Sequence, residues 1–476
     1  MKEKMLTLAD VVEALTGVRP AGVTPGISEG VVDSRLAIPA SLFIAIQGER
    51  TDGHEYVAQA FNNGASFALV QRDIDPAIPV VNLRQPIPAD QVFPALPFAL
   101  RVEDTTMALQ KLAAFWRRRF TTRVIGITGS VGKSTTKELT AEILAQRFRT
   151  LKNQGNFNNE IGLPLTLLRL GPGYDRVVLE MGFYEPGEIA GLCDIALPQV
   201  GILTNIGTVH ASRAGSQETI ARGKSELVRA LPPLPVGTAI LNIDDPFIRE
   251  MAKLTEAGVF FYGLDPTADL WADEIESQGL NGIRFRIHHG TDIFNIQAPM
   301  IGRHSIHTIL AAASAALIEG LTWQEIILGL QHATSQLRLV AVKTRQGALV
   351  LDDTYNASPE SMLAALNLLN ELPGRKIAVL GGMNELGQYE LLGHNKVGIR
   401  AAEVVDKLIA FRENAQMIAA AAKNAGFPER FIEILEDEDA VIQSLNATLH
   451  AGDVVLVKGA HSLRMDRIVQ AMEVEE

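Results

Sequence analysis

The sequence contains almost no cysteine and no long apolar run. Cys193 is the only cysteine among 476 residues, which excludes an intrachain disulfide framework and any metal site built from several thiolates. No uncharged apolar stretch approaches the ~18 residues that suggest a membrane-spanning helix. Residues 1–6 begin with charged side chains rather than an apolar signal segment. These absences favour an enzyme of the reducing cytoplasm with no membrane span.

An excess of basic residues is also missing. Lys and Arg number 43 against 55 Asp and Glu, so the formal net charge is −12. Proteins that bind nucleic acid through its backbone usually carry a basic excess or stripe, so no nucleic-acid partner is expected. A local anion site remains compatible with this charge. The composition, with 47% hydrophobic and 21% charged residues, is that of a globular protein.

The chain divides into three blocks, 1–120, 121–335 and 336–476, and its length also predicts about three domains. The first block contains short predicted strands, including one over 31–35, and a proline-rich stretch at 73–97 where no helix is expected. In the other two blocks apolar strands alternate with helices, a pattern typical of parallel α/β sheets, and the central block has predicted helices at about 133–148, 216–230 and 304–319. The predicted fold class is therefore α/β: a small N-terminal domain, a central parallel-sheet domain and a Rossmann-like C-terminal domain.

A glycine-rich loop is the sharpest local signal. Residues 125–137 read as an apolar strand, a glycine-rich turn containing Lys133 and Ser134, and then a helix. Backbone N–H groups of such a turn surround phosphates, the lysine reaches the β- and γ-phosphates, and the serine hydroxyl binds Mg²⁺. Ile127 occupies the position of the first glycine of the strict pattern. The loop predicts a central P-loop ATPase-like domain that binds ATP through residues Thr128, Gly129, Ser130, Val131, Gly132, Lys133, Ser134 and Thr135.

This loop resembles the variant phosphate loop of the Mur ligases, the amide-forming enzymes of peptidoglycan precursor synthesis. Further blocks resemble the family in the same order along the chain: 155–164, 180–182, 205–210, 215–226 and 352–362. The blocks at 155–164 and 352–362 most resemble the family member that adds a dipeptide. The resemblance runs from about Ser34 to the C-terminus.

The resemblance implies activation of a carboxylate by ATP and amide formation through an acyl phosphate. The substrates would be UDP-N-acetylmuramoyl-tripeptide and D-alanyl-D-alanine, and the cofactors ATP and Mg²⁺, with two ions expected. A carboxylate does not react usefully with an amine near neutral pH, so ATP must supply the leaving group. The chain is expected to act as a monomer.

The resemblance also implies the catalytic and metal-binding residues. Lys133, His210, Lys224 and Arg338 would be catalytic, and Ser134, Glu180, His210 and a carbamylated Lys224 would bind the metal ions. Lys224 shares a predicted helix face with Ile220 and Leu227, so it falls on the apolar stripe of that helix. A buried lysine is costly unless it is paired or neutral, which fits a carbamate, although a lysine whose ammonium reaches solvent fits as well.

The remaining implied residues bind the nucleotide and the substrates. Asn205, Thr308, Arg338 and Asp353 would contact ATP, with Arg338 at the γ-phosphate and Asp353 at the ribose. Candidate substrate residues are Ser34, Arg35, Asp52, Gly53 and His54 for the uridine diphosphate, Asn156, Asn158 and Asn159 for the sugar-peptide, and Tyr355 and Asn356 for the dipeptide. Arg338 and Asp353 fall in the third block, so domain closure would complete the site.

The sequence departs from the family at several contact positions. Ser305 and Thr308 replace two asparagines, Gly382 replaces an aspartate, and Ala460-His461 replaces a Ser-Arg pair. Two alternatives therefore stay open. One is a sister ligase that adds a single amino acid, and the other is a nucleotide-binding paralogue without turnover.

Overall fold

The computed structural model describes residues 5–22, 25–48, 51–209, 211–332 and 340–473. Within these ranges the chain forms three sheets that follow one another along the sequence. We call them the N-terminal, central and C-terminal sheets. None of the helices in the described ranges is long and apolar enough to cross a membrane.

The N-terminal sheet is parallel, with strand order β1-β2-β3-β5-β4. The elements of this region are α1 (Leu8–Thr16), β1 (Gly30–Val31), β2 (Leu42–Ile44), α2 (Val57–Asn62), β3 (Phe67–Val70), β4 (Val80–Asn82), β5 (Phe98–Arg101) and α3 (Thr105–Arg117). The predicted strand over 31–35 is wrong beyond Val31. The Asp33 carboxylate accepts a hydrogen bond from the Arg35 backbone N–H and starts a short 3₁₀ helix, Ser34–Leu36.

The central sheet has strand order β14-β13-β12-β11-β10-β9-β6-β8-β7. Its region comprises β6 (Arg123–Thr128), α4 (Lys133–Leu144), β7 (Thr150–Lys152), α5 (Gly162–Leu168), β8 (Arg176–Glu180), α6 (Glu188–Ala196), β9 (Val200–Leu203), α7 (Ala211–Ala214), α8 (Gln217–Arg229), β10 (Thr238–Asn242), α9 (Pro246–Met251), β11 (Gly258–Gly263), β12 (Leu270–Ser277), β13 (Ile283–His289), β14 (Asp292–Ala298), α10 (Ser305–Ile318) and α11 (Trp323–Gln331).

The inner strands of this sheet are buried on both faces. Helices α3, α5, α6 and α8 pack together in the core on one side, and α4, α10 and α11 pack together on the other. The expectation of a parallel sheet is confirmed from β7 to β12. It is wrong for β13 and β14, which continue the sheet as an antiparallel hairpin. Apolar and polar residues alternate in this hairpin because one face is solvated.

The C-terminal sheet has strand order β15-β16-β20-β17-β18-β19 and is parallel except for β15. Its elements are β15 (Val340–Lys343), β16 (Leu349–Asp353), α12 (Pro359–Glu371), β17 (Lys376–Gly381), α13 (Glu390–Val404), β18 (Lys407–Phe411), α14 (Gln416–Asn424), β19 (Ile432–Leu435), α15 (Glu438–Thr448), β20 (Val454–Lys458) and α16 (Asp466–Met472). Ser358 caps α12 and Pro359 follows at its first position, so this helix has a strongly defined start.

Candidate active site

A cavity of about 410 Å³ lies where the central and C-terminal regions meet. Its walls come from the phosphate loop, the loop before α5, the end of β8, the start of α10 and the first turns of α12. The carboxyl ends of parallel strands collect at one edge of a sheet, which is where α/β proteins bind ligands. The cavity wall includes these sequence-predicted residues: Ser130, Val131, Gly132, Lys133, Ser134, Thr135, Asn156, Asn158, Asn159, Glu180, Thr308, Asp353, Tyr355 and Asn356.

The phosphate loop leaves β6 at Thr128 and enters α4 at Lys133. A side chain at Gly129 would place its Cβ 1.9 Å from the Thr204 hydroxyl oxygen, so the backbone approaches its neighbour closely there. Gly132 has φ +83°, a conformation that glycine adopts without strain. The Lys133 ammonium lies 3.1 Å from the Ser130 carbonyl oxygen. The loop therefore has the glycine-dependent form that phosphate binding requires.

Asn205, which lies just after the end of the neighbouring strand β9, holds the phosphate loop. Its side-chain oxygen accepts the Val131 N–H at 2.9 Å, and its amide nitrogen donates to the Val131 carbonyl at 2.9 Å. Its backbone carbonyl accepts the Ser130 N–H at 2.9 Å. The side-chain amide of Asn205 thus bonds to the loop itself, and this residue does not line the cavity.

Glu180 is the buried acid of the site. It ends β8 and is paired in register with Ile127 of β6, so its side chain lies beside the phosphate loop. One carboxylate oxygen accepts the Ser134 hydroxyl at 2.6 Å, and the other accepts the Asn158 amide at 2.8 Å. Glu180 therefore connects the phosphate loop with the loop before α5.

The oxygen atoms of Ser134 and Glu180 suit Mg²⁺. This ion prefers oxygen ligands and is usually held by one or two protein groups together with water and substrate phosphates. Within the described ranges there is no group of three or more His, Cys, Asp and Glu side chains that could hold an ion unaided. His210, whose imidazole is also a proposed metal ligand, lies outside the described residues. Arg338 lies outside them as well.

Lys224 is buried, with 1% of its surface exposed. Its ammonium donates to the Gly129 carbonyl at 2.8 Å and lies 4.8 Å from the Phe183 ring. Burial, together with the nearby charge of Lys133, lowers the pKa of Lys224 well below its usual value, although Glu180 opposes the shift. The Lys224 amine therefore lies behind the phosphate loop and loses its proton more easily than the amine of an exposed lysine.

On the C-terminal side, Lys458 joins the residues of the 353–356 turn. Its ammonium lies 2.7 Å from the Asp353 carboxylate and donates to the Asn356 carbonyl at 2.9 Å. Asp353 and Lys458 are register partners on β16 and β20, which explains their proximity. The Tyr355 ring is exposed and lies 6.0 Å from the His461 ring.

The N-terminal candidates are not part of the cavity wall. The His54 ring is buried between the Asp52 carboxylate, 2.6 Å from Nδ1, and the Gln71 N–H, 2.9 Å from Nε2. A Cβ at Gly53 would meet the Ile46 backbone at 2.8 Å. Ser34 donates to Gln59, and the exposed Arg35 pairs with Asp33. Most polar groups of these N-terminal candidates therefore form hydrogen bonds within the protein. Arg35 is the candidate whose side chain reaches solvent.

Sequence reasoning missed three residues: Lys458, which lines the cavity, and Lys137 and Asn153, which lie behind its wall. Each is buried: Asn153 bonds to the Glu180 carbonyl and Lys458 to the Asn356 carbonyl, both in cavity residues, and Lys137 bonds to the loop that carries Asn156. Lys137 stands one helical turn after Lys133, and Lys458 ends an apolar strand, so both positions carried a signal. Charged residues at such positions are rarely buried unless they have partners.

Comparison with known proteins gives matches along the chain. Models described as the Mur ligase family catalytic domain, the Mur ligase middle domain and the Mur ligase glutamate ligase domain match residues 31–117, 127–316 and 337–461. The UDP-N-acetylmuramoyl-tripeptide–D-alanyl-D-alanine ligase of Synechocystis sp. is 36% identical over 93% of this chain and 91% of the relative. The chain belongs to the Mur ligase family. As a Mur ligase, it is an ATP-dependent ligase.

Other Mur ligases are similar to this chain in sequence and in fold. The Escherichia coli ligase of the same name is 33% identical over 98% of both chains. The structure of MurF from Acinetobacter baumannii has a TM-score of 0.84, 29% identity and 99% coverage of both chains. MurF ligase from Thermotoga maritima in complex with ADP has a TM-score of 0.78 and 27% identity, covering 97% of this chain and 98% of the other.

Proposed function

We propose that this Mur ligase joins D-alanyl-D-alanine to UDP-N-acetylmuramoyl-tripeptide at the expense of ATP. The observation that carries the proposal is the composition of the cavity wall. The phosphate loop with Glu180, the loop carrying Asn158, and the Tyr355–Asn356 turn face one space. Relatives that bear this activity in their names match over more than nine-tenths of the chain. We assign the reaction to the cytoplasm, where ATP and UDP-linked substrates are available.

The reaction would begin with phosphoryl transfer. The terminal carboxylate of the tripeptide attacks the γ-phosphorus of ATP, the bond to the β-phosphate oxygen breaks, and ADP and an acyl phosphate form. This step needs positioning and charge neutralisation more than covalent help from the protein. Lys133 and the N–H groups of residues 129–134 would bind the phosphates, and we assign the γ-phosphate contact from the third region to Arg338.

Amide formation would follow. The neutral α-amine of the dipeptide attacks the acyl carbon, a proton leaves the nitrogen, and inorganic phosphate departs. Asn156, Asn158 and Asn159, which line the cavity, would hold the acceptor peptide, and Tyr355 and Asn356 would hold the dipeptide. Ser34, Arg35, Asp52, Gly53 and His54 are assigned to the uridine diphosphate, with Arg35 as the group that reaches outward.

The metal assignment follows the oxygen donors of the site. Ser134 and Glu180 would hold one Mg²⁺, and His210 with a carbamylated Lys224 a second. Bound Mg²⁺ would neutralise charge that develops on the transferred phosphoryl group. A buried lysine with a lowered pKa is the form that reacts with carbon dioxide, which supports the carbamate.

The proposed domains are 1–120 for the UDP-linked substrate, 121–335 for ATP, and 336–476 for closing on the nucleotide and the dipeptide. The separate sheets support this division, because their strands lie within residues 30–101, 123–298 and 340–458. Thr308 and Asp353 complete the proposed nucleotide contacts, and Thr128 and Asn205 would act through the phosphate loop that they support. Thr308 lies beside the loop, since a Cβ at Gly132 would be 3.8 Å from its hydroxyl.

An acceptor and donor panel tests the proposal. The purified chain would be given ATP, Mg²⁺, UDP-N-acetylmuramoyl-tripeptide and, in separate reactions, D-alanyl-D-alanine, D-alanine, L-lysine or diaminopimelate. A parallel set would use the UDP-linked dipeptide as acceptor. We expect phosphate release and a product of the matching mass only with the tripeptide and D-alanyl-D-alanine. Lys133→Ala is the inactive control because it removes the cation of the phosphate loop.

Other outcomes identify the alternatives. Turnover only with a single amino acid would identify a sister ligase. Binding of ATP without ADP formation in any mixture would identify a nucleotide-binding paralogue without turnover.

A further inference from the structure

Lys137 is a buried cation that the proposed reaction does not use. It lies on α4 one turn after Lys133, has 1% of its surface exposed and does not line the cavity. Its ammonium donates to the Asn153 carbonyl at 2.8 Å and lies 3.4 Å from the Gly155 carbonyl and 2.9 Å from the Glu138 carboxylate. A buried ammonium needs such partners, and two of them belong to one loop.

That loop, residues 153–161, is called the acceptor loop here. It begins where the β7–β8 pairing ends, at the register pair Lys152 and Val178. The Asn153 side chain, fully buried, then takes over the pairing: its oxygen accepts the Glu180 N–H at 3.0 Å, and its nitrogen donates to the Glu180 carbonyl at 3.0 Å. The Asn153 side chain makes the hydrogen bonds to β8 that the β7 backbone would otherwise make. The Asn153 backbone can therefore turn away from β8, and its carbonyl accepts a hydrogen bond from the Lys137 ammonium.

The tip of the acceptor loop reaches the site. The Asn153 amide also donates to the Phe157 carbonyl at 2.8 Å, which folds the loop back on itself. Asn158 then donates to the Glu180 carboxylate, and its carbonyl accepts the Gly182 N–H at 2.8 Å. Asn156, Asn158 and Asn159 line the cavity as a result. The position of these amides depends on where the loop starts, and Lys137 holds that start.

We propose that Lys137 is a positioning residue that holds the acceptor loop for the UDP-linked substrate. Helix α4 contributes Ser134 to Glu180 and Lys137 to the loop, so one rigid element sets the distance between the phosphates and the acceptor. The inference rests on the proposed function, because that assigns Asn156, Asn158 and Asn159 to the acceptor. Loss of Lys137 loosens the acceptor loop and leaves the phosphate loop with its own hydrogen bonds to Asn205.

Lys137→Met in the full-length chain tests the inference. Methionine keeps the apolar length and removes the charge and the donors. We expect the KM for UDP-N-acetylmuramoyl-tripeptide to rise about tenfold or more, with the KM for ATP within about twofold, since one charged hydrogen-bonding group is lost. Amide hydrogen exchange across 153–161 should become faster. Lys137→Arg, which keeps the charge, should recover part of the acceptor affinity.

Lys407→Met is the matched control. Lys407 is also a buried lysine, with 6% of its surface exposed, and it bonds to Ser444 at 2.8 Å and pairs with Glu433 at 2.9 Å. It lies on β18 and does not line the cavity. We expect its loss to lower the melting temperature without changing the KM for the acceptor or the exchange of 153–161.

Two results would overturn the inference. One is an unchanged acceptor KM and unchanged loop exchange in Lys137→Met. The other is the same small change in both lysine variants. Should Lys137→Met fail to fold, Asn153→Ala must give the acceptor-specific KM change. This variant keeps the backbone carbonyl that Lys137 contacts but removes the side-chain hydrogen bonds to Glu180 and Phe157 that fix the same start of the loop. If the unmodified chain makes no product from any acceptor, the proposed function fails, while hydrogen exchange still tests the link between Lys137 and the loop.

Discussion

The polar side-chain atoms of Asp52 and His54 form hydrogen bonds within the protein. Burial alone would raise the pKa of Asp52, but hydrogen bonds from the His54 backbone and ring and from Arg72 lower it to about 2. The sequence pattern around Asp52-Gly53-His54 indicated a substrate region, and that assignment stays a prediction. The structure adds hydrogen bonds that Asp52 accepts from His54 and Arg72, from which we expect a contribution to stability as well.

We expect Asp52→Asn to destabilise the protein in a pH-dependent way. With a pKa of about 2 in the folded chain and about 3.9 in the unfolded chain, the carboxylate contributes fully above pH 3.9. That contribution is lost as the pH falls toward 2. The free energy of unfolding should fall by about 1–2 kcal/mol at pH 7, and by less at pH 3, in urea titrations. If Asp52→Asn and the unmodified chain were equally stable at pH 7, Asp52 would have no role in stability, and the proposed substrate contact would be its remaining role.

Lys224 is expected to carry a carbamate. The neutral amine required for this is present above its lowered pKa and is lost as the pH falls through that value. Labelling with ¹³C-bicarbonate should give a carbamate carbon signal in the unmodified chain and none in Lys224→Ala. The variant should also lose activity, which added short carboxylic acids should partly restore. Full activity of Lys224→Ala without additives would contradict this role.

The phosphate loop is the element whose form depends most on glycine. We expect Gly129→Ala to weaken ADP binding about tenfold or more, because the new Cβ would overlap the Thr204 hydroxyl oxygen at 1.9 Å and displace the loop amides. Titration calorimetry would measure this. Gly187→Ala is the control, since Gly187 also has positive φ, +101°, and nothing lies within 4 Å of its added Cβ. Equal affinity of the two variants would show that the close approach at Gly129 has no effect.

Helices and strands were predictable to different extents. The sequence predicted helices at 133–148, 216–230 and 304–319, and the structure has α4, α8 and α10 within these ranges. The hairpin of β13 and β14 was missed because its alternation of polar and apolar residues gave no strong apolar run. Loop conformation was also beyond prediction, since the path of 153–161 depends on Asn153 meeting Glu180 across two strands.

The cavity has one wall from the central region and one from the C-terminal region, so contacts between these regions determine whether it is complete. The Ser212 N–H donates to the Glu385 carbonyl at 3.1 Å, and Gln388 donates to the Gly215 carbonyl at 2.8 Å. Gly387 packs directly on Ser212, because a Cβ there would come within 2.8 Å of the Ser212 Cα. These contacts hold the C-terminal region against the segment that follows residue 210.

We expect Gly387→Ala to separate the two regions and to lower kcat about tenfold, because the C-terminal wall of the cavity is displaced. Affinity for ADP should change less than about twofold, since most phosphate contacts belong to the central region. Gly426→Ala is the control: Gly426 lies in the same region with φ +94°, and nothing lies within 4 Å of its added Cβ. Unchanged kcat in Gly387→Ala would show that this contact is not needed for turnover.

The sequence alone determined the α/β class, the phosphate loop and the likeness to the Mur ligases, because each depends on residues that are close in the chain. Only the tertiary structure decided that Glu180 lies between Ser134 and Asn158, that Asn205 braces the phosphate loop, and that Lys137 and Lys458 hold neighbouring turns. Hydrogen bonds of this kind join residues from different strands and loops. They form only after sheet register and burial have brought the partners within about 3 Å of each other, and no local pattern encodes that distance.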